Sequence, residues 1–528
     1  MGLFKLTLQK FLLILIANTS ILAGSSQETC SELKRFLSDS IGNIECLGGT
    51  FHLNSKSVNK YYSYQAAMKQ KNVRISAFNV YQSGSTRTEY KDYKLVAKVM
   101  NNWDVVGATE LVPIIGIDNR HNNSIIGLLN KIEKSDAVPS FNEQMPELTR
   151  NQKIKLLKSQ YEKPGYIKIL VELQKLDPSW SLLLSASEDG AAGATVHELA
   201  GYFYRAKVVT PVQNDYCYEF YKDKRKVDDF SSCQPLYSKK FYGKDISNLV
   251  SRKPYMGSFK SGKFDFTLLL THVVYNSPSD PDLRKKILRA AFGVDDYSEV
   301  GQGVTGETYA RFAEVFHILN FSEKMKKAYK EQDIIIMGDL NLESSNNYWS
   351  TLLDKFSGSE IKIEGETSLS KSRTRSDGSS THGTSQNFDH FIFNPTTISQ
   401  CAGDKNARIY NFLENSMSRY VDYKYLVRGE DDYVDSQSGV VMYSYRVEGE
   451  EKQNDFISDY LRTAKEKYTV KKGRIVKRYD LKSKRDDILR KIFSPQFYER
   501  SYYRVYQEVL SDHLPIYMSC ENTHDTDK

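Results

Sequence analysis

Two short segments define the chemistry open to this chain. Met337-Gly338-Asp339-Leu340-Asn341 closes an apolar run that begins at Asp333, and Ser511-Asp512-His513-Leu514-Pro515-Ile516 lies near the C-terminus. Asp339 and Asn341 are two residues apart, so an extended backbone turns both side chains to one face. An Asx turn capping a helix would use the same pair and is compatible with that reading. Phe78-Asn79, Thr109-Glu110, Thr271-His272 and Phe388-Asp389-His390 add amides, acids and imidazoles spread over the whole chain. Carboxylate and amide oxygens suit a hard divalent ion such as Mg²⁺. Imidazoles titrate near neutrality, so each can take or give a proton in a hydrolytic step. The expected chemistry is metal-assisted hydrolysis at a site assembled from many loops.

Such a site needs strands whose ends carry these residues. Lys71 to Val80 alternates as a strand that delivers Asn79, and a polar loop from Gln82 to Thr88 follows. Tyr93, Leu95, Val96, Val99 and Met100 then fall on one helical face. Asp104 to Ala108 is the next strand, leading to Glu110. This strand–loop–helix–strand unit puts polar residues at two strand ends, where open α/β sheets hold ligands. Ser181 to Ala186, Gly201 to Lys207, Phe264 to Leu270, Asp333 to Met337 and Phe391 to Phe393 read as further strands. Val505 to Leu510 is expected to feed the last site pair. Helices are expected at Ile167 to Leu176, Lys285 to Phe292 and Tyr309 to Tyr329, with a helical pattern around Gln152 to Tyr161. Ser368 to Gln386, rich in Ser, Thr and Gly, reads as a mobile surface loop. Residues 403–500 are charged and poor in long apolar runs, an elaboration with a helix near Lys482 to Phe493.

The bulk properties set limits. A chain of 528 residues, 40% hydrophobic and 26% charged, has enough apolar content for a large core, which excludes global disorder. The formal charge of +7 suits a polyanionic partner without requiring one. Lys5 and Lys10 precede the apolar run Phe11 to Ile16, and small residues follow at Ala23 to Ser26, the pattern of an export signal. Leu22-Ala23-Gly24-Ser25 lacks the cysteine of a lipoprotein box, so no lipid anchor is expected. Six cysteines fit an exported chain. With no Cys-x-x-Cys pair they do not suggest zinc, and proximity favours Cys30–Cys46 and Cys217–Cys233, leaving Cys401–Cys520. The 36 tyrosines are expected to sit half-buried with wet hydroxyls. His197-Glu198 starts like a zinc-protease helix, but Gly201 stands where the second histidine belongs.

The ordered set Asn79, Glu110, His272, Gly338-Asp339-Leu340-Asn341, Asp389 and Ser511-Asp512-His513-Leu514-Pro515 resembles the endonuclease/exonuclease/phosphatase superfamily, most closely the secreted deoxyribonucleases of the pancreatic type. The resemblance covers roughly Asn72 to Cys520. It implies an α/β (α+β) fold, a four-layer α/β-β/α sandwich of two packed mixed sheets flanked by helices, with surface insertions. The expected organisation is a signal peptide at 1–24, an N-terminal extension at 25–70 with a helical preface, a catalytic domain at 71–521 with insertions about 276–330 and 403–500, and a tail at 522–528.

The same resemblance assigns roles. Glu110, supported by Asn79 and Asp512, would bind Mg²⁺, with Mn²⁺ as a substitute and Ca²⁺ in a structural role. His513, oriented by Asp389, would be the general base. His272, braced by Glu198, would protonate the leaving oxygen. Asp339 would orient or deprotonate the water, and Asn341 and Arg252 would hold the phosphate. The deoxyribonucleases carry arginines after the first asparagine and the first glutamate; Tyr81 and Val112 stand there instead. The implied protein is an exported, secreted or periplasmic, monomeric nuclease acting on DNA or RNA with low sequence specificity and leaving 5′-phosphate ends. A sphingomyelinase-type phosphodiesterase or a phosphatase on the same fold, and a non-catalytic binding or toxin-subunit module, stay open at this point.

Overall fold

The computed structural model describes residues 44–47, 50–53, 61–83, 91–111, 165–185, 198–223, 230–356, 358–374, 380–401, 407–414, 433–434, 441–442, 467–471, 474–478, 506–507 and 509–525. Its strands, in chain order, begin with β1 (Ile44–Leu47), β2 (Thr50–Leu53), β3 (Asn72–Ser83), β4 (Val105–Leu111), β5 (Trp180–Ser185), β6 (Leu199–Arg205), β7 (Thr210–Pro211) and β8 (Ser232–Cys233). Then come β9 (Tyr255–Ser261), β10 (Phe264–His272), β11 (Ile334–Asp339), β12 (Glu360–Ile361), β13 (Leu369–Thr374), β14 (Ser380–Thr384), β15 (Asp389–Phe393) and β16 (Arg408–Ile409). Two hairpins, β17 (Tyr433–Val434) with β18 (Val441–Met442) and β19 (Lys467–Lys471) with β20 (Arg474–Arg478), precede β21 (Ile516–Glu521).

One sheet runs β1-β2-β5-β6-β4-β3-β21-β16; the other runs β12-β15-β11-β10-β9-β7, with β8 also on β9. The pairs β3–β4 and β10–β11 are parallel among antiparallel neighbours, so both sheets are mixed. The chain reaches β4 from β3 through the helix Tyr93–Met100, whose first turn is capped by Asp92 accepting from Leu95 N at 3.0 Å.

Three apolar clusters make four layers. Ile75, Tyr202, Phe266, Leu270, Met337 and Phe391 fill the space between the sheets. The helices Tyr93–Met100 and Gly165–Leu176 cover the outer face of the first sheet through Leu95, Val99, Ile169 and Leu173. Pro281–Ala291, Tyr309–Tyr329 and Tyr348–Leu353 cover the second through Leu288, Phe312, Phe321 and Leu352. Residues 276–330, taken as an insertion, thus supply a covering layer. Truncating one of these buried side chains to alanine costs about 2–5 kcal/mol. Gly107 lets the sheets close on each other: a Cβ there would lie 2.4 Å from Met337 Cε.

The expected two-sheet sandwich is present, and several local expectations need correction. Residues 44–47 and 50–53, expected in a helical preface, are strands that extend the first sheet beyond β5. Among the described residues of that stretch the helix is Tyr64–Gln70, where Ser63 accepts from Ala66 N at 3.2 Å. Within Ser368 to Gln386, expected as a surface loop, β13 and β14 pair antiparallel, and Leu369 N bonds to the Asp512 carbonyl. Residues 506–507 are helical, and β21 starts only at Ile516, since Pro515 and the site residues occupy the loop between. Many tyrosines are fully buried: Tyr202 OH accepts from Leu270 N at 3.0 Å between the sheets. Cys217–Cys233 and Cys401–Cys520 are bonded as expected. The expected leader, Cys30, and the helical patterns at Gln152 to Tyr161 and Lys482 to Phe493 fall outside the described residues. Among the described residues no helix is long and apolar enough to cross a membrane.

Candidate active site

The register of the second sheet sets three site residues side by side. His272, the last residue of β10, pairs with Asp339 at the end of β11, which in turn pairs with Asp389 at the start of β15. Gly338 is the residue that permits this approach: at φ +127°, a Cβ would sit 2.1 Å from the Thr271 carbonyl oxygen. Beyond the strand, Asn341 turns back in the left-handed region (φ +52°), with its N–H on Asp339 Oδ1 at 2.9 Å and its Nδ2 on the Val273 carbonyl at 2.8 Å. The Asx turn and the site geometry coexist.

The first sheet delivers its residues through irregularities. Pairing of β4 with β6 shifts between Ala108 and Leu111, and Glu110 between them has φ +57°. A bulge at a strand end re-aims a side chain. Pairing of β3 with β4 shifts after Asn79 in the same way, with Tyr81 at φ +47°. Left-handed non-glycine residues are costly and collect where function over-determines them. Asn79 Nδ2 then donates to Glu110 Oε1 at 2.9 Å and to Asp339 Oδ2 at 3.2 Å, joining the two sheets. Its Oδ1 accepts from Tyr81 N at 2.9 Å. Asn79, expected from the sequence to support the metal, thus bonds to two acids.

The two imidazoles flank Asp339. His272 Nε2 and His513 Nε2 each lie 3.6 Å from Asp339 Oδ2, and His272 Nε2 lies 3.9 Å from Glu110 Oε1. Each histidine carries its own acid on the other nitrogen: Glu198 Oε2 at 2.8 Å from His272 Nδ1, Asp389 Oδ2 at 2.6 Å from His513 Nδ1. Arg252 Nη2 donates to Glu198 Oε1 at 3.3 Å, and its Nη1 is buried without a hydrogen-bond partner. Glu110, Glu198, Arg252, His272, Asp339, Asn341, Asp512 and His513 all line one cavity of about 540 Å³. Asn79 and Asp389 bond to residues that line it.

Charge is concentrated here. Burial, then Glu198 and Asp512, push the Glu110 carboxyl up to about 7, against the pull of His272 and Asn79. Burial and Asp339 likewise raise Asp512, although His513 and Lys91 oppose them. Burial disfavours the imidazolium at His513, but Asp389 and Asp339 outweigh it and hold that ring well above the ordinary histidine value. His272 is raised too, with burial and Arg252 opposing Glu198. Two groups of side chains have the spacing of metal donors, Glu110–Glu198–His272 and Asp339–Asp389–His513. In both, the imidazole Nδ1 is already engaged by its own acid. Glu110 and Asp512, two half-buried acids whose carboxyls are both raised, fit a hard divalent ion better, and Asp512 Oδ1 is buried without a hydrogen-bond partner.

Some positioning residues had no signal in the sequence. Glu314, buried in the helix Tyr309–Tyr329, accepts from Ser251 N (2.7 Å) and Arg252 N (3.4 Å) at Oε1 and from Val274 N (3.0 Å) at Oε2. It fixes the segments carrying Arg252 and His272. Thr367 Oγ1 accepts from Phe388 N at 3.0 Å and Asp389 N at 3.1 Å, and Ser511 Oγ donates to the Asn79 carbonyl at 2.5 Å. His390 is structural: it is fully buried, with Nε2 2.7 Å from the Leu342 carbonyl.

Fold and site together define a class, a four-layer α/β sandwich with acids and imidazoles clustered at the strand ends. No family model matches the chain, and no curated protein matches it. Among solved structures it is similar to an endonuclease/exonuclease/phosphatase family protein from Leptotrichia buccalis C-1013-b, at 12% identity and a TM-score of 0.34 over 65% of this chain and 94% of that one. A second family protein, from Bacteroides thetaiotaomicron, gives 10% identity and 0.32 over 85% and 97%. The human Nocturnin catalytic domain gives 7% and 0.32 over 64% and 84%.

Proposed function

We propose that this chain is an exported, divalent-metal-dependent phosphodiesterase that hydrolyses nucleic acid, DNA foremost, with low sequence specificity and leaving 5′-phosphate ends. The observation that carries this reading is the placement of two acid-backed imidazoles, each 3.6 Å from the same Asp339 oxygen, beside the half-buried acids Glu110 and Asp512. An inert binding module needs no such arrangement. A divalent ion held by Glu110 and Asp512 would neutralise the phosphate and offset the field of the acids on both imidazoles.

The chain's own groups do the rest. His513 Nε2 accepts a proton from the attacking water while its Nδ1–H stays on Asp389. His272 Nε2–H gives its proton to the departing 3′ oxygen while Nδ1–H stays on Glu198. Asp339, between them, orients the water. Arg252 Nη1 and Asn341 hold phosphate oxygens. The domain reading, 1–24 as an export leader and 71–521 as the catalytic unit acting as a monomer, accompanies this proposal.

The test is hydrolysis of single-stranded DNA, duplex DNA, RNA and sphingomyelin vesicles by purified protein with Mg²⁺, Mn²⁺ or Ca²⁺, before and after chelation. Mg²⁺-dependent release of 5′-phosphate oligonucleotides, lost with EDTA and restored by Mg²⁺, is expected. Turnover of vesicles alone, or cleavage indifferent to the chelator, would contradict it.

A further inference from the structure

One aromatic ring at the cavity rim is held in a way the hydrolytic chemistry does not require. Among the described residues four large hydrophobic side chains are exposed, Tyr64, Leu176, Tyr218 and Tyr275, and of these Tyr275 alone lines the cavity. It lies three residues beyond His272 and is 51% exposed. A free surface tyrosine would surrender rotamer freedom on meeting a ligand. Tyr275 has already done so. The Arg311 guanidinium lies 4.5 Å from its ring centroid, and Arg311 is itself fixed, with Nε on the Tyr275 carbonyl at 2.8 Å and Nη1 on the Asn341 carbonyl at 2.7 Å. Phe388 meets the ring edge-on at 6.5 Å. The ring is therefore tied to the Asp339–Asn341 turn that would hold the phosphate.

We infer that Tyr275 is a stacking platform for an unpaired nucleobase next to the scissile phosphate, so that the substrate at this site is single-stranded nucleic acid or a nucleotide splayed from a duplex. The inference rests on the nuclease reading above and narrows it. A flat, preorganised ring at the lip of a concave site offers a π-face that any base can cover, which gives affinity without sequence preference. In an intact duplex the base faces are covered by neighbouring bases, so the platform would go unused.

The test uses the full chain and a single-stranded octanucleotide with one cleavable phosphodiester among phosphorothioate linkages. The nucleotide on either side of that linkage is intact or abasic. In the wild type, removing the base on one side should lower kcat/KM by about 5- to 150-fold. That dependence should vanish in Tyr275→Ala and persist in Tyr275→Phe. Equal losses on base removal in wild type and Tyr275→Ala, or no loss in the wild type, would overturn the platform while leaving the nuclease reading intact. A wild type that cleaves no intact oligonucleotide in Mg²⁺, or that cleaves only sphingomyelin vesicles, would overturn both.

Discussion

His272 and His513 stand at the same distance from Asp339 Oδ2, yet they rest on different supports. Asp389, behind His513, is fully buried, and its backbone N–H is held by Thr367 Oγ1. Glu198, behind His272, is shared with Arg252, whose guanidinium opposes a second positive charge on that side. The His513 side is closed by the loop Ser511–Pro515 and the base of the β13–β14 hairpin, through Leu514 N on the Thr367 carbonyl and Leu369 N on the Asp512 carbonyl. The His272 side leans on one helix through Glu314. The two rings thus share one carboxylate oxygen but not one environment.

Breaking the acids should expose the asymmetry most strongly. Asp389→Asn removes the carboxylate bonded to His513 Nδ1 and should lower kcat by about 10²–10⁴-fold in steady-state cleavage of single-stranded DNA. Glu198→Gln should cost less, because its amide oxygen still accepts from Arg252 or reorients toward His272. Equal losses, or a larger loss at Glu198, would show that the Arg252 side dominates.

A smaller effect should follow from the helix support. Glu314→Gln keeps one acceptor oxygen and strands backbone N–H groups in a buried place, which costs about 1–3 kcal/mol. Denaturant unfolding should show that loss, and turnover should fall with it. The same substitution leaving both untouched would mean that Glu314 does not set the His272 side.

The smallest effect is acid sensitivity. Burial, then Lys244, depress His317 to about 3 in the same helix. The unfolded chain, with histidine near 6.5, binds the extra proton first, so stability falls as pH drops from about 6.5 toward 3. On the other flank burial opposes ionisation of Asp177, but Lys207, Ser179 and Arg205 outweigh it and hold the carboxyl at about 2. Its contribution is lost only below about 3.9. Between pH 6.5 and 4, hydrogen exchange should therefore quicken in Tyr309–Tyr329 before Gly165–Leu176. The reverse order would contradict this assignment.

The sequence carried the site better than its supports. Strand ends at His272 and Asp339 follow from apolar runs that stop at a polar residue, and the helix expected at Tyr309–Tyr329 is present with those bounds. Ser511 to Pro515 was legible as chemistry but misplaced as the end of a strand, because a short helical turn and a β-run look alike over six residues. The bulges that aim Glu110 and Asn79 leave no compositional trace, since left-handed glutamate and tyrosine are imposed by tertiary contacts. Ser368 to Gln386 has loop composition, yet β13 and β14 pair across it, and Ser368, Leu369, Ser385 and Gln386 at its base line the cavity. Glu314 acts through three backbone N–H groups far away in sequence, and pattern reading sees only neighbours.

The most direct measurement is the turnover of single-stranded DNA in Mg²⁺ by His272→Ala and His513→Ala, with circular dichroism to establish that each is folded. Both variants should retain the wild-type spectrum and lose about 10²–10⁴-fold in kcat. A folded variant of either histidine that cleaves at close to the wild-type rate would contradict a reaction carried by two opposed imidazoles.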